Sequence, residues 1–165
     1  MLQIYRADLF SWCERKIHLS KINSWNLLTV ILSTIDCKPP FAEVTKSGTT
    51  IISPNYPSNY DNSNDCQVTI RFAIDETVKI MFEEFDVENH SNCIYDYLAI
   101  HDGNCTSSPT IESKLCGNSL AGTTMQSTQN VMTIHFHTDN SQSGTGFRVY
   151  ATTVKGKVLS WFSVG

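Results

Sequence analysis

The stretch Cys66–Ile74, "CQVTIRFAI", places an apolar residue at every even position: Val68, Ile70, Phe72 and Ile74. Successive side chains of a strand point to opposite faces, so a period of two with β-branched and aromatic residues predicts a half-buried strand. After a turn at Asp75-Glu76 the pattern resumes with Val78, Ile80 and Phe82. Farther on, "VMTIHFHT" alternates through Met132, Ile134 and Phe136, and "GFRVYA" sets Phe147 and Val149 on one face. "TTIIS" and "DYLAIH" read as further short strands. Between them lie turn-forming clusters: Ser53-Pro54-Asn55-Tyr56-Pro57, Asp102-Gly103-Asn104 and Ser143-Gly144-Thr145-Gly146. No long helical period runs from Cys37 to Ala151. Short strands separated by turns mean an all-β, antiparallel sandwich or barrel.

The chain has 165 residues, 41% of them apolar and 10% aromatic, which suffices for one packed domain with short flanking segments. Its net charge of −4 is unevenly spread: residues 37–151 hold 6 Lys and Arg against 13 Asp and Glu. An acidic domain repels phosphate and sulfate, so nucleic acid is excluded as a partner and cations or basic protein groups are favoured. Six cysteines are present, at 13, 37, 66, 93, 105 and 116, with no C-x-x-C pair to suggest a structural zinc site. The sequons Asn89-His90-Ser91 and Asn104-Cys105-Thr106 agree with a secretory route, in which disulfides form and asparagines are glycosylated.

The apolar run Trp25–Ile35, "WNLLTVILSTI", follows Lys16 and Lys21. It is too short to span a bilayer and about right for a signal peptide core, so residues 1–36 are expected to be a signal peptide or an uncleaved signal anchor. Residues 37–151 form the expected domain, and 152–165 an unstructured tail or linker. The expected location is secreted or on the extracellular face of the cell, with a membrane involved only through that anchor or a larger parent protein.

In order, "SGTTIISPNYPSNY", a cysteine ahead of an alternating strand, "FEEFDVENHSNCIYDYLAIHDG", "KLCG" and "FHTDNSQSGTGFRVYAT" resemble a CUB domain over Cys37–Ala151. The resemblance implies a jelly-roll sandwich of two antiparallel sheets, each of about four to five strands. It also implies the disulfides Cys37–Cys66 and Cys93–Cys116; spacing alone leaves fifteen pairings of six cysteines open. Cys105 and Cys13 are extra to the four-cysteine pattern. Cleavage of a signal peptide leaves Cys105 odd, whereas retention permits Cys13–Cys105.

The sequence is similar, residue by residue, to the calcium-binding subset of that family. The Glu ending "FDVE" is Glu88, the Asp of "CIYD" is Asp96 and the Asp of "HTDNS" is Asp139. Ca²⁺ takes six to eight oxygen ligands, and three carboxylates converging without a cation repel one another. The resemblance implies Glu88, Asp96, Asp139 and a backbone oxygen of Asn140–Gln142, Ser141 foremost, as metal ligands, with Tyr60 of "NYPSNY" orienting the acids. It implies further that Tyr60, Glu88, Asp96 and Asp139 receive a Lys or Arg side chain from a protein ligand. Asp61, Asp65, Asp75 and Glu76 read as solvated surface acids.

Other chemistries find little support. His135-Phe136-His137 is an H-x-H pair, but two ligands are half a zinc site. No G-x-S-x-G elbow accompanies Ser141, and Gly144-Thr145-Gly146 lacks the rest of a dinucleotide loop. Glu83 and Glu84, adjacent on a strand, are expected on opposite faces and so do not form an acid pair. The expected function is a non-catalytic, calcium-dependent protein-binding module. The alternatives are an exosite of a tolloid-like or complement-type secreted protease and spermadhesin-like carbohydrate binding.

Overall fold

Alternating stretches become strands where flanking turn residues let a second strand lie alongside. The structure, a computed structural model, describes residues 32–34 as backbone and residues 42–155 in full. Among them ten strands follow in chain order: β1 (Leu32–Thr34), β2 (Ala42–Val44), β3 (Thr49–Ile52), β4 (Asp65–Arg71), β5 (Glu76–Asp86), β6 (Tyr97–His101), β7 (Thr110–Leu115), β8 (Thr124–Gln126), β9 (Val131–His137) and β10 (Gly146–Lys155). They form two five-stranded sheets, β1-β3-β10-β5-β8 and β2-β4-β9-β6-β7. Pairing is antiparallel except for β1 beside β3 and β2 beside β4. Strands distant in sequence lie side by side, β10 between β3 and β5 and β9 between β4 and β6, which is the interleaving of a jelly roll. The expected all-β sandwich is therefore the fold.

The apolar sides of the sheets face each other. Val68, Ile70, Ile80, Phe82, Leu98, Ile100, Ile134, Phe136, Phe147 and Val149 are fully buried. Phe136 of one sheet meets Phe147 of the other edge-on, with ring centroids 5.3 Å apart, a favoured arrangement of aromatic quadrupoles.

Four details differ from the sequence reading. Ile74 is 93% exposed rather than half-buried. β4 ends at Arg71, the Phe72 N–H reaches the Asn130 carbonyl, and a turn closed by Glu76 N–H on Ala73 O carries Ile74 away from the core. Glu83 and Glu84 do not diverge: Arg148 lies 2.8 Å from Glu83 and 3.9 Å from Glu84. Arg148 pairs with Glu84 and Val149 with Phe82, so Glu83 is the extra residue of a β-bulge. The bulge also explains why the buried positions of this segment change parity, from Val78, Ile80 and Phe82 to Phe85 and Val87.

Strand pairing also runs past both expected limits of the domain. β10 continues through Thr152–Lys155, inside the expected tail, because the early residues of β5 need a ladder partner there. At the other end Leu32–Thr34, inside the segment read as signal or anchor, pair with Thr50–Ile52; the rest of that segment lies outside the described residues. Cys93–Cys116 is bridged as the resemblance implied. Cys66 and Cys105 are disulfide-bonded too. The Cys37 half of the implied Cys37–Cys66 pair, and Cys13, lie outside the described residues.

Phe136 touches the core and both neighbouring aromatic rings, so Phe136→Ala should cost about 3–5 kcal/mol. Urea unfolding of the full chain is expected to show a lower midpoint at unchanged slope; a midpoint within error of the parent would mean the two sheets do not depend on this contact.

Candidate metal centre

Three separate chain segments bring carboxylates to one end of the sandwich. Glu88 lies two residues past the end of β5, where Val87 and Gly117 exchange backbone hydrogen bonds of 3.0 and 2.9 Å. Asp96 immediately precedes β6. The loop between them is tied down by the Cys93–Cys116 bridge, with Cα atoms 5.6 Å apart. Asp139 follows β9, where Thr138 N–H reaches Asn64 O and Ser63 N–H reaches Asp139 O. The result is a group in which Glu88, Asp96 and Asp139 each offer an oxygen, all within 4.8 Å of one another.

Tyr60 organises this group from below. Its ring is buried and meets Phe136 edge-on at 5.0 Å, so the core fixes where its hydroxyl points. That hydroxyl donates to Asp96 Oδ2 at 2.6 Å and accepts the Glu88 N–H at 3.0 Å. Burial, with the Asp96 hydrogen bond behind it, pushes the Tyr60 phenol well above the usual tyrosine range, so it stays a donor. Asp96, 1% exposed, accepts the Asp139 N–H on its other oxygen at 2.7 Å. Asp139 Oδ1 in turn accepts Ser141 N–H and Oγ–H, at 2.8 and 3.3 Å.

Glu88 completes the group and is the least satisfied of the three. Gln142 Nε2 donates to its Oε1 at 2.8 Å, but its Oε2 is buried and accepts nothing. Burial first, then the charges of Asp96 and Asp139, push the Glu88 carboxyl above its usual range, against a smaller opposite pull from His90. A buried acceptor with no donor beside two further carboxylates suits a hard cation with oxygen ligands, so the residues present fit calcium.

The loop after Asp139 is held close by two glycines. A Cβ on Gly144 would overlap the Asp86 carbonyl, and one on Gly146 (φ +84°) the Ser53 hydroxyl. Asp86 Oδ2 accepts Thr145 N–H at 3.0 Å and fixes the far side of the loop.

Glu88, Asp96, Asp139 and Tyr60 thus come together, and Ser141 sits beside them as a donor to Asp139. The side-chain role of Gln142 was missed: its contact with Glu88 spans 54 residues, and no local motif marks it. Asp65 is a surface acid as expected, and in addition it accepts contacts from His135 and His137. Of the two sequon asparagines, Asn89 is exposed and Asn104 half-buried.

The pattern of the CUB domain matches residues 37–150, and the chain belongs to the CUB domain family. It is 38% identical over 108 residues to cubilin of Canis lupus familiaris, covering 65% of this chain and 3% of cubilin. To human tolloid-like protein 1 it is 32% identical over 123 residues, covering 73% of this chain and 12% of that protein. The chain therefore spans a small part of the length of these relatives. Among solved structures, the MASP-1 CUB2 domain bound to Ca²⁺ superposes with a TM-score of 0.57 at 31% identity, covering 67% of this chain and 96% of that domain. The full extracellular region of zebrafish Gpr126/Adgrg6 gives 0.62 at 32% identity, covering 70% of this chain and 15% of that one.

Tyr60→Phe removes a donor from a buried carboxylate and an acceptor from the Glu88 N–H, and should cost about 1–3 kcal/mol without changing core shape. Urea unfolding measures this; an unchanged midpoint would show that Tyr60 does not hold the acids. In chelator, the raised Glu88 carboxyl gives stability that is present below the ordinary Glu range and lost as pH rises through its folded value. Glu88→Gln is therefore expected to gain on the parent as pH goes from 4 to 7, and a gap independent of pH would refute the electrostatic account.

Proposed function

We propose that this CUB domain is an extracellular, non-catalytic, calcium-dependent module that binds a basic side chain of a protein ligand. The carrying observation is the buried, unpartnered oxygen of Glu88 within reach of Asp96 and Asp139. When bound, calcium would neutralise these three carboxylates and tie together the loops that bear them. The Ca²⁺-bound MASP-1 CUB2 domain, similar in sequence and fold, supports this reading. Glu88, Asp96 and Asp139 would hold the ion, with a backbone oxygen of the Asn140–Gln142 loop and water completing its shell.

The chain's own residues do the rest. Tyr60 and the Asp139 N–H hold Asp96 facing the group, and the Cys93–Cys116 bridge keeps Glu88 and Asp96 on one rim. An acidic rim gives a Lys or Arg of a partner a charge-assisted contact whose strength falls with salt. Ile94 and Tyr95, 54% and 42% exposed, stand next to Asp96 as apolar surface for the stem of such a side chain.

The test is a thermal midpoint of the full chain in millimolar calcium and in chelator. Calcium at a hundredfold its dissociation constant should add about 2.7 kcal/mol of stability, seen as a raised midpoint that Asp96→Ala and Asp139→Ala abolish. No shift in the parent would remove calcium from the reading. A lysine-rich peptide, compared with its acetylated counterpart in calcium, then probes the ligand chemistry: equal binding of both would remove the basic side chain.

A further inference from the structure

The loop between β5 and β6 carries the sequon Asn89-His90-Ser91, whose first residue directly follows Glu88. Its residues do not face one way. Asn89 and Ser91 are exposed, whereas His90 is half-buried and turned toward the loop. The His90 ring meets Tyr95 with centroids 4.8 Å apart, and the His90 carbonyl accepts the Cys93 N–H at 3.1 Å. The loop stands on a fixed base: Val87 and Gly117 exchange backbone hydrogen bonds, and the Cys93–Cys116 bridge joins the same two segments. The Asn89 amide has a definite direction on that base. A Cβ added to Gly117 would lie 3.3 Å from Asn89 Oδ1 and 3.8 Å from its Cγ, with the side-chain nitrogen beyond 4 Å. The oxygen rests toward Gly117 and Nδ2 faces away from it.

The second sequon, Asn104-Cys105-Thr106, is built differently. Asn104 is half-buried, and Cys105 beside it is buried and disulfide-bonded. The Gly103 carbonyl on the other side accepts the Thr133 hydroxyl at 2.8 Å, which ties this loop down to β9. A glycan is bulky and solvated, so it needs an asparagine whose surroundings leave the side-chain nitrogen open. Of the two, Asn89 meets that condition.

We propose that Asn89, and not Asn104, carries an N-linked glycan whose first sugar lies in the groove beside Glu88 and covers that side of the acidic rim. In the transfer, the Asn89 side-chain nitrogen takes the anomeric carbon of an oligosaccharide carried on a lipid pyrophosphate. A C–N bond forms, the C–O bond to the pyrophosphate breaks, the nitrogen loses one proton, and no electrons change hands. The groove suits a sugar, because Asn89 shares it with Asn118, Gln142 and Ser143, whose amides and hydroxyl meet sugar hydroxyls as donors and acceptors. Gln142 is itself held by Glu88 Oε1 at 2.8 Å, so a sugar resting on it borders the carboxylate group without entering it. Ile94 and Tyr95 are exposed and take no part in lining this groove. On the reading of the rim as a site for a basic ligand, on which this step rests, the glycan leaves that apolar side as the open approach.

The experiment uses the full chain made in cultured animal cells, with a secretory leader added so that export does not depend on residues 1–36. Enzymatic glycan release in heavy-oxygen water marks each occupied asparagine, and peptide mass mapping reads the mark. Label at Asn89 and none at Asn104 is expected; an unlabelled Asn89, or label at Asn104, would overturn the choice of site. Ser91→Ala, which keeps Asn89 but removes the sequon, should lose the mass of one glycan, and an unchanged mass would refute the assignment. In the intact glycoprotein, nuclear Overhauser contacts are expected from the first sugar to the side-chain amides of Asn118 or Gln142. Contacts to Ile94 or Tyr95 instead, or none to the groove, would overturn the sugar's placement. None of these readings uses calcium or a ligand, so their failure is distinct from failure of the calcium-dependent reading. A lysine-rich peptide added in calcium should then shift Tyr95 resonances and keep the sugar contacts. Loss of those contacts would overturn the assigned side, and a peptide that does not bind would remove the ligand approach together with the basic-ligand reading.

Discussion

The carboxyl of Asp96 is the constraint around which the functional end of the domain is arranged. A polar group this deeply buried persists only where donors meet it, and here they come from two other segments: the Tyr60 hydroxyl and the Asp139 N–H. Each donor is fixed by something outside the loops. Tyr60 is wedged on Phe136 in the core, and Asp139 continues a strand whose inward residues are fully buried. The loops therefore inherit their positions from the sandwich, and the acids arrive close together before any ligand is present. Their mutual repulsion is tolerated because the core and the Cys93–Cys116 bridge hold them there.

The bulge at Glu83 has a consequence at the same end of the molecule. Without it, the parity set by Val78, Ile80 and Phe82 would turn Phe85 and Val87 outward. One inserted residue restores the inward face, lets Val87 pair with Gly117 and delivers Glu88 to the rim. A local irregularity of the ladder is thus what joins a regular sheet to a loop whose side chains must point at a partner.

Much of this was legible in the sequence, for reasons that can be stated residue by residue. β4 was readable because one of its faces is core and alternation survives along the whole strand, and β9 because Met132, Ile134 and Phe136 keep the core face although Val131 and Thr133 are buried too. Glu88, Asp96, Asp139 and Tyr60 were readable through family resemblance, since each sits in a short local motif. The bulge left a trace, the parity change between Phe82 and Phe85, but adjacent Glu83 and Glu84 taken alone imply opposite faces. Ile74 misled because alternation does not say where a ladder stops; that depended on the Ala73–Glu76 turn. Gln142 and Asp65 were out of reach, because their roles are set by partners 54 and 70 or more residues away, which only the topology brings near.

β9 carries three chemistries on one short segment: Phe136 inward to the core, His135 and His137 outward, and Asp139 just beyond its end. Whether the outward histidines held on Asp65 influence the carboxylate group turns on what lies between them, which is Thr138 clamped to Asn64. Thr138 N–H reaches Asn64 O and the Asn64 N–H reaches Thr138 Oγ1, both at 2.9 Å, and Thr138 is 2% exposed. Coupling between sites requires an element with two arrangements that each ligand biases differently. A buried, doubly hydrogen-bonded pair just past the end of the β4–β9 ladder has a single arrangement. The carboxylate group and the Asp65–His135–His137 cluster are therefore expected to act independently, the first at the loop end of the sandwich, the second on the outer face of a sheet.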